Sequence, residues 1–143
     1  MNIIENPITD VRNLIPQKFP FVMVDTLVSF NESEVVSSYK IEESNIFYDG
    51  SAFTESGLIE NMAQTVALHT GYDFFIKNEQ APTGYIGSIK KVSIVVLPLL
   101  NEVITTKATI LHEFMGVTMV SIQVFNAKNE EIASSEMKTV IAS

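Results

Sequence analysis

The sequence predicts an α+β chain in which one long apolar helix is wrapped by antiparallel strands. Three observations predict it. The stretch Thr54 to Tyr72 (TESGLIENMAQTVALHTGY) carries apolar residues at helical spacing around a broad face. Six runs of strand-forming residues flank it, two before and four after. The last three of these are joined by hairpin-length connections, which makes them antiparallel neighbours. A lone helix with that much apolar surface has to be hidden by the sheet.

Taken in order, Thr9-Asp10 is placed to cap a short helix through Val11, Leu14 and Ile15 that Pro16 stops. Pro16 and Pro20 frame an extended entry to a first strand over Phe21 to Val28. Asn31-Glu32-Ser33 reads as a turn into a second strand, Glu34 to Ile41. Residues 42–53 are polar, with a turn signal at Asp49-Gly50. The helix follows, with Thr54 or Ser56 as cap and Gly71 as its expected stop. Its buried face is Leu58, Ile59, Met62, Ala63, Val66, Ala67 and Thr70. Beyond a loop at Lys77 to Pro82, strands are expected over 85–97, 103–114, 117–125 and 132–142. No repeat or linker divides the chain, so residues 1–143 form a single domain.

Composition narrows the function classes. Hydrophobic residues make up 46% and charged ones 18%, a balance that calls for a large interface, expected between identical subunits as a homodimer or higher oligomer. The net charge of −8 argues against nucleic acid and anionic membrane as partners. With no cysteine there is no disulfide or thiolate zinc site, and no cofactor or metal motif stands out. No run approaches a membrane span, and MNIIENPITDV lacks the basic flank and apolar core of a signal peptide, so the expected compartment is the cytoplasm.

Along one border of the helix's buried face, Glu60, Gln64, Ala67 and Gly71 form a stripe. An acid, an amide and then small residues suit a helix with something packed close against it. His69 lies nine residues past Glu60, on the other side of the helix, and is read as structural. His112, in a strand, is read the same way. Phe74-Phe75 is assigned to core or interface, and Met23, Met62, Met115, Met119 and Met137 to packing.

Two segments carry a resemblance. Ile15-Pro16-Gln17-Lys18-Phe19-Pro20-Phe21-Val22-Met23-Val24-Asp25 resembles the Leu-Pro-His-x-x-Pro-Phe-Leu-x-x-Asp opening of 3-hydroxyacyl-(acyl carrier protein) dehydratases. Leu58-Ile59-Glu60-Asn61-Met62-Ala63-Gln64 is similar to their central-helix signature, Leu-x-Glu-Ala-Met-Ala-Gln. Tyr85 to Val92 is a looser match to the glycine-containing strand after that helix. Order and spacing agree over nearly the whole chain. The version here most resembles the dehydratases of aryl-polyene and flexirubin-type pathways. The resemblance implies a hotdog fold, a dimer with its acyl site between subunits, and an acyl carrier protein as partner. Arg12, Lys18, Lys90 and Lys91 are the cations available to meet that acidic partner.

The departures bear on chemistry. The family's catalytic His sits in a Gly-His-Phe-Pro-Gly segment, and the corresponding Asn45 to Phe53 contains none. The opening motif's His is Gln17 here, and the Pro-Gly at the helix start is Thr54-Glu55. Dehydration of a 3-hydroxyacyl thioester needs a base for the α-proton, an acid for the hydroxyl and a group that polarises the carbonyl. The resemblance assigns Glu60 to acid/base work with Gln64 orienting it. Backbone N–H groups at Ser56 and Gly57 are the candidates for the carbonyl. Tyr48 is in the loop that lost the His, and Gly87 is in the strand expected at the acyl site and interface. Three outcomes stay open: dehydration in fatty-acid or polyene-type lipid biosynthesis without the His, thioester hydrolysis by the same carboxylate, or a non-catalytic acyl- or carrier-binding subunit.

Overall fold

The computed structural model describes residues 6–142. The first five residues, part of the stretch read above for a leader, and Ser143 lie outside it. Strands β1 (Thr26–Asn31) and β2 (Glu34–Lys40) precede helix α1 (Glu55–Ile76). Strands β3 (Gly84–Ile94), β4 (Val103–Phe114), β5 (Val117–Phe125) and β6 (Glu131–Ile141) follow it. They form one antiparallel sheet in the order β1-β2-β4-β5-β6-β3. The fold is a hotdog: α+β, with the sheet curled around one helix.

Alternation along the strands sets the inner face. Val35, Ser37 and Tyr39 of β2 are buried, as are Ile104, Thr106 and Ala108 of β4 and Val120, Ile122 and Val124 of β5. Leu58, Met62, Val66 and Leu68 of α1 fill that concavity. Polar side chains stitch the helix to the sheet. Thr106 donates to Asn61 Oδ1 at 2.6 Å, and Asn61 Nδ2 donates to the Met23 carbonyl at 2.7 Å. The Thr65 hydroxyl donates back to the Asn61 carbonyl, so it accepts from Ser37 Oγ at 2.7 Å. All four side chains are buried and paired, which is the condition under which a polar core costs little.

Four expectations are corrected. Val11 to Ile15 forms a turn rather than a helix, closed by Leu14 N–H to the Val11 carbonyl. The Asp10 side chain is spent on the Arg12 N–H and guanidinium, not on a helix N-terminus. The first strand begins at Thr26, because Phe21 and Met23 bond to a side chain of α1 and not to a neighbouring strand. Gly71 does not stop α1, which runs on to Ile76; a Cβ at Gly71 would lie 1.7 Å from the Leu14 carbonyl oxygen, so glycine there permits close approach. Met115 is 84% exposed because it takes a left-handed position, φ 52°, in the two-residue turn between β4 and β5.

Strand β3 occupies one edge and leaves its outer side unpaired among the described residues. It carries bulges at Gly87 and at Lys91-Val92, where Lys91 has φ 53°. Ile86 and Ile89, in register with the inward-facing Thr139 and Met137, are each 41% exposed.

Candidate active site

Helix α1 starts cleanly, and that start positions Glu60. Thr54 is extended, φ −75° and ψ 169°, and its hydroxyl oxygen receives the Gly57 N–H at 3.5 Å. Glu60 lies in the second turn and is half-buried. One turn on, Gln64 is fully buried and fully used. Its Oε1 accepts the Met23 N–H at 2.6 Å, while its Nε2 donates to the Phe21 carbonyl at 2.8 Å and to Glu60 Oε1 at 3.3 Å. Gln64 therefore ties the candidate carboxylate to the backbone of the incoming segment.

That segment runs antiparallel to α1, from Leu14 against Gly71 to Phe21 and Met23 against Gln64. Between it, α1 and the edge of the sheet lies a cavity of about 540 Å³. Glu60, Ala63 and Ala67 form its helix wall, residues 12–18 a second wall, and residues 80–86 with Thr139 to Ile141 the third. Glu60 is the only carboxylate on these walls among the described residues. The small side chains expected along the helix stripe are what leaves the space open.

The other predicted site residues are not gathered there. Ser56 is exposed in the first turn. Gly57 is buried beneath Phe53, whose ring atom Cε1 would be 2.4 Å from an added Cβ. Tyr48 bridges to Phe53 and packs against the core. Gly87 lies on the exposed edge strand. None of the four lines the cavity. In the loop that lacks the His, Asn45 points inward, donating to the Tyr39 hydroxyl and to Met23 Sδ. Burial raises the Tyr39 pKa above the usual phenol value, and the Asn45 hydrogen bond partly opposes that shift.

His69 bonds through Nε2 to the Asn31 carbonyl at 2.9 Å and stacks on Phe30, a packing role as expected. His112 is exposed. Arg12 forks onto Asp10, which holds that carboxyl at about 2. Lys18 donates to the carbonyls of Arg12 and Ile15. Two residues stand out only in the structure. Asn61 is the hub of the buried network that ties α1 to Met23 and to the sheet. Gln17, on the cavity wall, has a buried Oε1 with no hydrogen-bond partner among the described residues; its one signal was its place in the opening motif.

The family model of the ApeP-like proteins, described as ApeP dehydratase, matches residues 9–142. The chain belongs to the ApeP-like dehydratase family. Among solved structures, it is similar to a chain of the dehydratase heterocomplex ApeI:P from Xenorhabdus doucetiae, with 13% identity and a TM-score of 0.79 over 93% of this chain and 91% of that one. It is also similar to a hypothetical thioesterase protein from Streptococcus pneumoniae TIGR4, crystallised with coenzyme A. There the identity is 12% and the TM-score 0.65, over 80% of this chain and 82% of that one. An uncharacterized protein from Pyrococcus horikoshii has 10% identity and a TM-score of 0.70, covering 93% and 94%. At these identities the likenesses establish the ApeP-like chain's hotdog fold alone. No curated protein matches the sequence. No helix among the described residues of this ApeP-like chain is long and apolar enough to cross a membrane.

Proposed function

We propose that this chain dehydrates a 3-hydroxyacyl thioester presented by an acyl carrier protein, with Glu60 as the acid/base. The observation that carries this is the placement of Glu60: a carboxylate held by Gln64 on the wall of a cavity that offers no other carboxylate among the described residues. Glu60 takes the proton from C2, the C–H electrons become the C2–C3 double bond, and the hydroxyl leaves C3 with the proton that Glu60 returns, as water. The thioester carbonyl is not assigned to Ser56 or Gly57, since neither lines the cavity and the Gly57 N–H is shared with Thr54. Gln64 is a positioning residue, since its own polar atoms are occupied by backbone.

A second reading is thioester hydrolysis. It is favoured by the same lone carboxylate, which needs only to activate one water, and by the fold's likeness to a thioesterase bound to coenzyme A. The exposed β3 edge and its uncovered Ile86 and Ile89 support pairing with a second subunit of the same fold, here assigned to a second copy of the chain. The similar ApeI:P structure is a heterocomplex, so an unlike partner is the competing outcome.

The test incubates the chain and Glu60→Gln with a 3-hydroxyacyl carrier protein and follows the product by mass spectrometry. Loss of one water that vanishes in the variant is expected. Release of free acid replaces dehydration by hydrolysis. An unchanged substrate, with binding retained, overturns both enzymatic readings in favour of a binding subunit.

A further inference from the structure

We infer that the acyl tail of the substrate lies along α1 from Glu60 towards Gly71, and that the contact of Gly71 with Leu14 limits it to about 13 carbons beyond the reacting pair. This rests on the reading of the cavity as a thioester site.

The cavity has a definite length on the helix. Its helix wall begins at Glu60 and ends at Gly71, and no residue of α1 outside that span lines it among the described residues. The two lie eleven positions apart, which is ~16 Å at ~1.5 Å per residue. An extended alkyl chain advances ~1.25 Å per carbon, from C–C bonds of ~1.52 Å meeting at ~111°. With the reacting carbons at Glu60, the span holds about 13 more.

The far end is closed by backbone. A Cβ at Gly71 would lie 1.7 Å from the Leu14 carbonyl oxygen and 2.8 Å from its carbon, so the incoming segment touches the helix there and leaves no gap for a chain. Either the tail or the pantetheine arm of a thioester is long enough to fill the span, and the wall distinguishes them. Between Glu60 and Thr70 the helix presents only Ala63, Val66 and Ala67, with Leu14, Ile15 and Pro16 on the second wall. The arm carries amides, and an amide buried without a partner is penalised. A tail has no polar group to strand, and each buried methylene tightens binding about fourfold. The tail therefore takes this lane. Ala67 stands ~10 Å from Glu60, the level of about the eighth carbon, so a larger side chain there shortens the lane.

The experiment measures affinity by calorimetry for a series of unreactive alkyl thioethers of pantetheine, using the full chain and its Ala67→Phe and Ala67→Val variants. The tails end short of Ala67, between Ala67 and Gly71, or beyond Gly71. In the parent chain, affinity is expected to climb about fourfold per methylene and to stop climbing near 13 carbons, about the length of the span. In Ala67→Phe the climb is expected to stop near about 8 carbons, with shorter tails bound as in the parent. Ala67→Val, a smaller block, is expected to weaken only the tails that pass it, and it keeps the test open if the Phe variant does not fold. A stop at the same length in all three proteins overturns the inference, as does a parent affinity that ignores tail length. Equal weakening of every ligand by Ala67→Val, at an unchanged melting temperature, also overturns it by placing the arm in the lane. Failure of every ligand to bind the parent chain overturns the thioester reading itself, whereas a bound series with the wrong length dependence overturns this inference alone.

Discussion

The side chain of Gln64 receives the backbone N–H of Met23 at 2.6 Å, across 41 residues of sequence. That bond and the one to the Phe21 carbonyl hold an extended segment against α1 where a strand partner would otherwise be needed. Gln64→Leu leaves two backbone groups without their partners. The expected loss is about 2–4 kcal/mol, reduced from the sum of two buried groups because Phe21 is exposed and water can reach it. Urea denaturation measures it, and a loss below ~1 kcal/mol would show that the segment re-pairs elsewhere.

Gly71→Ala sets two effects against each other. Helix propensity favours Ala over Gly by about 1 kcal/mol. The new methyl would meet the Leu14 carbonyl oxygen at 1.7 Å, a backbone atom that cannot rotate away. Overpacking of this kind costs about 1–3 kcal/mol or more, so the clash wins and the variant is destabilised. Thermal unfolding should show a lower midpoint, and limited proteolysis should cut faster within residues 11–18. A raised midpoint would mean that the segment is not seated on the helix.

Asn61 and Thr106 act as a unit in the core. Asn61→Leu strands the Met23 carbonyl and the Thr106 hydroxyl, and Thr106→Val strands Asn61 Oδ1. Each single change is expected to cost about 1–3 kcal/mol. The double variant should cost less than the sum, because the second change removes a group that the first left unpaired. Chemical denaturation of all four proteins completes the cycle, and strict additivity would deny that the two side chains share one bond.

The proposed pairing through β3 would make Ile89 sensitive to charge. Ile89→Glu places a carboxylate on the uncovered inner side of the edge strand. Sedimentation velocity is expected to show a pair for the parent chain and a single subunit for the variant. A variant that still pairs would move the interface away from this edge.

The sequence was most informative where one rule acted alone. Strands β4 and β5 lie over the residues their alternation and turns mark, 103–114 and 117–125. It misled where a residue served two purposes. Gly71 carries the signature of a helix stop, yet its missing side chain serves contact with Leu14. Asp10 has the chemistry of a cap, yet Arg12 takes it up two residues later. Phe21 to Asp25 has strand composition, but its partner is a glutamine on a helix, a pairing no local pattern encodes. At the candidate site, Glu60 was legible because it follows a family signature residue by residue. The unpaired oxygen of Gln17 was not, because the exclusion of solvent from one atom depends on how the folded chain packs around it.

The two edges of the sheet differ in kind. At β1, both the N–H and the carbonyl of Leu27 are taken by Ile8, and the strand is bulged just beyond. At β3 the outer side is open among the described residues, but bulges interrupt it at Gly87 and Lys91. For strand addition the subunit therefore has a valence of one. If two subunits join through β3, both open edges are consumed and the edges that remain are the β1 ones, bridged at Leu27 and bulged beyond it, which favours a closed pair over growth as a fibre.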